Sequence, residues 1–237
     1  MRNYLFFLCL LIFCKVGSSQ QGVTTFGLQY KPLVPITVLN VEDLVLNEEG
    51  YTVSISSLLG HNVGAVVRWG ITNKLAIETG LNYSRRNYLL DAVLDDTLRG
   101  STEFGIVTYE IPIQGLFYVR LSKTWYMNVA TGFSFNFRAS DVGKFTDNRQ
   151  FSHTAFVRGL NLAYIANLGV EYRSNKRGTF YLGASLSTPF RNLATVRIFS
   201  ESISNPRKIE GSLEGNYLSL DLRYFFNENK KNKSNKK

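Results

Sequence analysis

Charged side chains of both signs recur at alternate positions within segments whose remaining positions are largely apolar. Carboxylates and guanidinium groups held close together could form a buried ionic network, or could supply the acid and the base of an enzyme. The candidates are Arg68, Glu78, Glu110, Arg120, Glu171, Arg173, Asp221 and Arg223. We expect an interior ionic network in which these acids and arginines pair, since an unpaired charge inside a protein is very costly.

Catalysis would need a nucleophile, a base and an orienting group near these charges. The chain has two histidines, His61 and His153, and neither lies in a spacing typical of a hydrolase or of a zinc enzyme. Both are predicted in surface loops at the outer rim. Acidic pairs at 48–49 and 95–96 are more typical of solvated loops than of calcium sites. We therefore predict no catalytic, cofactor-binding or metal site, and no enzymatic activity.

The N-terminal residues have the layout of a secretory signal peptide. A basic start precedes an apolar run at 4–14, and small residues follow it up to Ser19. The apolar run is barely half of the roughly 20 residues that a membrane-spanning helix needs. We expect cleavage near Ser19 and Gln20, which makes residues 1–19 a signal peptide.

Apolar residues are dispersed along the rest of the chain. The 237 residues are 44% hydrophobic, yet the mean hydropathy is -0.08. Both cysteines, Cys9 and Cys14, belong to the leader, so we expect neither a disulfide nor a Cys-ligated metal in the mature protein. After the leader there are nowhere 18 consecutive apolar residues. If the protein is in a membrane, it must therefore be a β-barrel.

The net charge of +9 comes in part from the C-terminus. Residues 227–237 hold five lysines against Glu228, and we expect a lysine-rich periplasmic tail there. The rest of the chain shows no basic stripe with an aromatic platform. We therefore expect no nucleic acid partner.

The fold prediction follows from a two-residue period of apolar side chains that is typical of long strands with one apolar face. Eight segments have this period, and strict alternation of short and long connections joins them. The segments are 26–30, 63–71, 75–87, 107–121, 125–137, 160–172, 180–190 and 218–226. We predict an all-β, eight-stranded antiparallel up-and-down transmembrane β-barrel over residues 20–226.

The connections give the expected orientation. Short turns at 72–74, 122–124 and 174–178 are predicted to be periplasmic, together with both termini, in the outer membrane. The long connections are predicted to be outer loops, and they are Pro32 to His61, Leu89 to Thr102, Asp141 to Val157 and Asn192 to Ser212.

Residues 109–113, YEIPI, resemble the LEIP stretch of the PorT-like family of outer-membrane β-barrel proteins. Segments at 80–84, 169–173 and 218–226 reinforce the resemblance, which spans nearly the whole mature chain. It implies a membrane-embedded barrel, and the founding member of the family is associated with type nine protein secretion. Since proline cannot donate to a strand ladder, we expect a bulge at Pro112 that holds Glu110 inside.

Three functions remain open on the sequence. The leading hypothesis is a non-enzymatic outer-membrane barrel that acts through its loops or its periplasmic face, as an accessory of secretion or assembly. Its partners would be outer-membrane lipid and the proteins of a secretion or assembly complex. The alternatives are a small barrel enzyme or lipid-modifying protein, and a soluble lipocalin-like carrier with an apolar interior.

Overall fold

The computed structural model describes residues 23–34, 44–48, 50–94, 98–138, 142–145, 151–156, 159–174, 176–200 and 208–227. The predicted leader and the tail beyond Asn227 lie outside these residues. The strands are β1 (Thr24–Val34), β2 (Leu44–Glu48), β3 (Tyr51–Gly70), β4 (Leu75–Leu94), β5 (Leu98–Arg120), β6 (Trp125–Arg138), β7 (Val142–Phe145), β8 (Phe151–Phe156), β9 (Leu160–Ser174), β10 (Gly178–Pro189), β11 (Ala194–Ser200), β12 (Lys208–Leu213) and β13 (Tyr217–Phe225). No helix within these ranges has the length and apolar character needed to cross a membrane.

Eight of the strands form a closed antiparallel ring. Their order is β1-β13-β10-β9-β6-β5-β4-β3, and β3 pairs back with β1. The closing ladder is long, because it runs from Thr24 opposite Trp69 to Leu33 opposite Gly60. The predicted eight-stranded antiparallel barrel is confirmed. These strands correspond to the eight alternating segments of the sequence.

The two faces of the ring differ in chemistry. On β4 the outward side chains are apolar, as in Leu75 and Leu81, whereas Glu78, Asn82 and Ser84 are buried in the lumen. Since an apolar exterior around a polar interior is the arrangement of a transmembrane barrel, the ring has the reverse of the pattern that a soluble lipocalin-like carrier requires.

The three short turns have the same side-chain-to-backbone hydrogen-bond pattern. Thr72, Ser122 and Ser174 each use the side-chain oxygen to accept hydrogen bonds from backbone N–H groups two and three residues later. Such hydroxyl caps stabilise tight turns. Gly178, the last residue of the third turn, has a φ of 82°, in the left-handed region that favours glycine. The end of the barrel with these turns is called the turn end below, and the opposite end the loop end.

The predicted bulge at Pro112 is wrong. Thr79 faces Ile113 and Asn82 faces Glu110, so the β4–β5 register is the same on both sides of the proline. The irregularity lies on β3, where the register against β4 shifts between Leu58 and His61. A bulge moves one extra residue into a strand and exchanges its two faces. The buried positions of β3 are accordingly odd before it, at 51–55, and even after it, at 62–68.

Beyond the barrel, the loop end forms a second structural layer that we call the cap. It comprises a four-stranded sheet of β7, β8, β11 and β12, together with β2 and the ends of β3, β4 and β5 at residues 51–57, 88–94 and 98–106. Buried apolar side chains from both sheets pack in one core, which includes Tyr51, Leu90, Ile106, Val196 and Ile198.

The predicted outer loops are therefore wrong as loops over much of their length. On β4 the inward face changes from polar at Arg86 to apolar at Tyr88 and Leu90, while the outward face becomes polar at Arg85 and Asn87. The inward face therefore becomes apolar at the level where the outward face stops being continuously apolar, because Arg85, Asn87 and Asp91 alternate there with Leu89 and Val93. Strands β3, β4 and β5 thus run without a break from a barrel with an apolar exterior and a polar lumen into the cap, where apolar side chains are buried.

Candidate functional site in the barrel interior

The lumen of the barrel is crossed by an ionic cluster centred on Arg68. Its Nη2 lies 2.9 Å from Glu78 Oε2, and its Nη1 lies 2.9 Å from Glu171 Oε2. All three side chains are buried. Arg68 is on β3 and Glu171 is on β9, which are four strands apart in both directions around the ring. This contact therefore joins opposite walls of the lumen.

The cluster continues along the barrel through Arg223. This residue pairs with Glu78, and its Nη2 lies 2.5 Å from Asp221 Oδ2. Asp221 is fully buried, and Lys31 Nζ lies 3.3 Å from the same carboxylate oxygen. Ser185 Oγ donates to this carboxylate at 2.6 Å. Each carboxylate in the cluster thus lies beside two cations, as a buried charge requires a compensating partner.

A second cluster surrounds Glu110 at a level nearer to the loop end. Arg86 Nη2 lies 3.3 Å from its Oε1, and Asn62 donates to Oε2 at 3.0 Å. The hydroxyl of Tyr217 on β13 donates to Oε2 at 3.1 Å. Because β5 and β13 also face each other across the ring, this is a second contact between opposite walls.

Seven of the eight residues proposed for the interior network are brought together in these clusters. Arg120 is the exception, because its side chain is exposed near the turn end and its Nε donates to the carbonyl of Ser122 at 2.9 Å. Arg173 lies at the edge of the first cluster, where its Nε donates to Glu171 at 2.6 Å. The expected partner of Glu110 among the proposed arginines is replaced by Arg86.

Sequence reasoning missed Arg86 and Lys31, although the strand period identifies both. Arg86 has the same parity as Glu78 on β4. Lys31 has the same parity as Gln29 on β1, a residue that is buried in the lumen. Both cations are found if every even-numbered residue of β4 and every odd-numbered residue of β1 is assigned to the interior.

Aromatic rings cover the guanidinium groups. Arg68 lies 3.8 Å from the ring centroid of Phe225, and Arg173 lies 3.9 Å from that of Tyr126. Arg86 lies 4.6 Å from the ring centroid of Tyr217. These cation–π contacts replace part of the hydration that the cations lose in the lumen.

Two glycines make room for a further aromatic ring. Tyr181 lies over Gly169 and Gly183, which face each other on β9 and β10, and a Cβ on either glycine would overlap the Tyr181 hydroxyl. That hydroxyl donates to Asn167 Oδ1 at 2.6 Å. The glycines therefore let a large side chain fill the lumen.

The histidines lie apart from both clusters. The ring of His61 is 6.1 Å from that of Tyr83, and the ring of His153 is 4.8 Å from that of Phe104. The prediction of a surface-loop position is wrong for both histidines. His61 lies within β3, opposite Pro32 of β1. His153 is buried in the cap because β8 packs there instead of forming a loop.

At the turn end the lumen opens into a cavity of about 680 Å³. Its walls include Arg68, Arg120, Arg173, Tyr118 and Tyr126. The ionic cluster around Arg68 therefore forms the boundary between this cavity and the filled part of the lumen.

Comparisons with known proteins agree with this architecture. A family model described as an outer membrane protein beta-barrel domain matches residues 25–195. No curated protein matches the chain. Among solved structures, the outer membrane protein OprG from Pseudomonas aeruginosa is similar with a TM-score of 0.55 at 12% identity, over 87% of this chain and 96% of that chain. The outer membrane protease OmpT from Escherichia coli aligns with a TM-score of 0.40 at 8% identity, over 88% of this chain and 98% of that chain. At these identities the OprG likeness shows the fold alone.

Proposed function

The chain belongs to the family of outer membrane protein beta-barrel domains, and from this premise we propose that it is a non-enzymatic, non-conducting barrel that serves as an accessory of secretion or assembly. In this proposal the barrel anchors the protein in the outer membrane, and the surfaces at its two ends bind the partner proteins. The PorT-like resemblance of residues 109–113 supports a secretion role.

The observation that carries the proposal is the occlusion of the lumen. The contact of Arg68 with Glu171 and that of Tyr217 with Glu110 cross the lumen at two levels. An eight-stranded barrel has an interior just wide enough for side chains. The cap adds an apolar core over the loop end. A path for solutes would require both levels and the cap to open together.

The experiment that tests the closed lumen is planar-bilayer recording of the folded protein, with a porin as the positive control. We expect no steady conductance steps. A large, steady conductance from the wild-type protein would overturn the proposal, because a conducting lumen cannot coexist with these contacts.

The accessory role requires protein partners at the ends of the barrel. Photo-crosslinking residues placed at Asn73 of the turn end and at Glu214 of the loop end should capture defined proteins in native membranes. Leu81, which faces outward from the middle of β4 and is 57% exposed, is the matched control and should contact lipid. Lipid adducts alone at all three positions would argue against an accessory role.

A further inference from the structure

The turn-end cavity brings four cationic side chains together in one lining. Arg68, Lys74, Arg120 and Arg173 contribute to its walls, and no Asp or Glu does so among the described residues. Its volume of about 680 Å³ exceeds that of a water molecule many times over. The cavity is therefore large enough for an organic ligand.

The positive charge is not balanced by the carboxylates behind the lining. In the ionic cluster, Lys31, Arg68, Arg173 and Arg223 face Glu78, Glu171 and Asp221, which leaves one formal cation in excess. Lys74 and Arg120 add two cations for which the described residues provide no carboxylate partner. The formal excess of three favours a multiply charged anion.

A second observation concerns Tyr118 of β5, which lines the same cavity. This side chain is 6% exposed, and its hydroxyl makes no hydrogen bond to any described residue. A buried hydroxyl without a partner costs free energy. Its ring is flanked by two guanidinium groups, with Arg173 at 4.9 Å and Arg68 at 5.7 Å from the centroid. An oxyanion bound among these arginines would provide the acceptor that the hydroxyl lacks.

We propose that the turn-end cavity binds the phosphate group of an organic phosphate, with Arg68, Arg120, Arg173 and Lys74 as the cationic donors and Tyr118 as a neutral donor. A phosphate monoester carries up to two negative charges and three terminal oxygens, which a carboxylate cannot match. The rings of Tyr118 and Tyr126 provide apolar surface for the organic part. The phosphate monoester belongs either to a water-soluble molecule or to phosphatidic acid, the phospholipid whose headgroup is itself a phosphate monoester.

Isothermal titration of the folded, detergent-solubilised full chain with phenyl phosphate, inorganic phosphate and benzoate tests the site. We expect saturable 1:1 binding of phenyl phosphate, weaker binding of inorganic phosphate and the weakest binding of benzoate. The absence of saturable phenyl phosphate binding up to about 10 mM would overturn the proposal.

Two matched pairs of variants separate the site from general effects. Tyr118→Phe should weaken phenyl phosphate binding about tenfold while leaving the unfolding midpoint unchanged or higher, because an unpartnered hydroxyl is removed. Its control, Tyr181→Phe, loses the bond to Asn167 and should lower the midpoint without changing the affinity. Unchanged affinity in Tyr118→Phe would contradict the proposal.

Arg120→Gln should also weaken binding, since Arg120 lines the cavity. Lys123→Gln removes the same charge from the neighbouring turn, whose residue 123 does not line the cavity, and should bind as the wild type does. Equal weakening in both variants would show attraction to surface charge and would refute a site.

A competition experiment in lipid nanodiscs distinguishes a lipid source of the phosphate from a water-soluble one. Competition by phosphatidic acid nanodiscs, but not by phosphatidylcholine nanodiscs, against phenyl phosphate would support the site and identify a lipid headgroup as the source. Binding of phenyl phosphate that is equal in both nanodiscs would support the site and identify a soluble ligand.

Discussion

Arg68 Nη1 and Glu171 Oε2 lie 2.9 Å apart across the lumen, although 103 residues separate the two positions in the chain. The contact exists because the barrel is closed, with β3 and β9 on opposite walls. It holds the walls together and forms the floor of the turn-end cavity.

Removing this carboxylate should destabilise the barrel. Glu171→Ala leaves the guanidinium groups of Arg68 and Arg173 without their shared partner, and we expect a loss of about 3 to 5 kcal/mol in the free energy of unfolding. Urea unfolding of the detergent-solubilised protein measures it. Glu171→Gln should lose less, because an amide oxygen still accepts hydrogen bonds.

The control for this prediction is Glu210→Ala in the cap. Glu210 is exposed, and a hydrogen bond from Lys208 holds the pKa of its carboxyl below its ordinary value. An exposed ion pair contributes little to stability. The unfolding midpoint of Glu210→Ala should therefore remain close to that of the wild type, and an equal loss in both variants would contradict the cross-lumen role of Glu171.

Glu110 should matter for the same reason at the second level of the lumen. Glu110→Ala leaves Arg86 buried without a counter-charge, and we expect a cost on the order of 3 to 5 kcal/mol. Glu110→Gln should cost less, since its amide oxygen can still accept from Asn62 or Tyr217. Thermal unfolding in detergent compares the two. No stability loss in Glu110→Ala would disprove the plugged lumen.

The glycine pair under Tyr181 provides a test of lumen packing. Gly183→Ala places a methyl group where the Tyr181 hydroxyl lies, so we expect the bond to Asn167 to break at a cost of about 1 to 3 kcal/mol. Gly115→Ala is the control, because a Cβ at that position meets nothing within 4 Å. Urea unfolding should show a lower midpoint for the first variant alone.

The cap should lose its structure under conditions in which the ring stays folded. Leu90 is fully buried in the apolar core of the cap, and Leu90→Ala should cost about 2 to 5 kcal/mol there. We expect faster proteolysis within β11 and β12, together with an unchanged heat-modifiable barrel on electrophoresis. Leu81→Ala, on the outward face, is the control and should leave the proteolysis rate unaltered. Loss of the folded barrel in Leu90→Ala would show that ring and cap fold as one unit.

The orientation of the barrel is tested by labelling. With short turns in the periplasm, a cysteine at Glu214 of the loop end should react with an impermeant maleimide in intact cells, whereas a cysteine at Asn73 should react after permeabilisation alone. Both positions are exposed. Labelling of Asn73→Cys in intact cells would invert the topology.

The sequence by itself determined the ring. A two-residue period with one apolar face is a local property, since it depends on neighbouring side chains alone, and it identified the eight ring strands, their short turns and the inward position of Arg68, Glu78 and Asp221. The same period also extended through Tyr88, Leu90 and Ala92 on β4, where the apolar face changes sides. The sequence thus contained an apolar face at these residues, but whether that face contacts lipid or a protein core depended on what packs against it.

Only the tertiary structure decided the cap, the ion-pair partners and the bulge. The apolar face at Leu90 becomes a core because β8, β11 and β12 pack against it, from segments about 60 to 120 residues away in the chain. Whether Glu110 meets Arg86 or Arg120 depends on the level of each residue in the closed barrel, which is set by strand register rather than by parity. The physical reason is that a strand pattern states which side a residue faces, while its partners are fixed by chain segments that closure brings together.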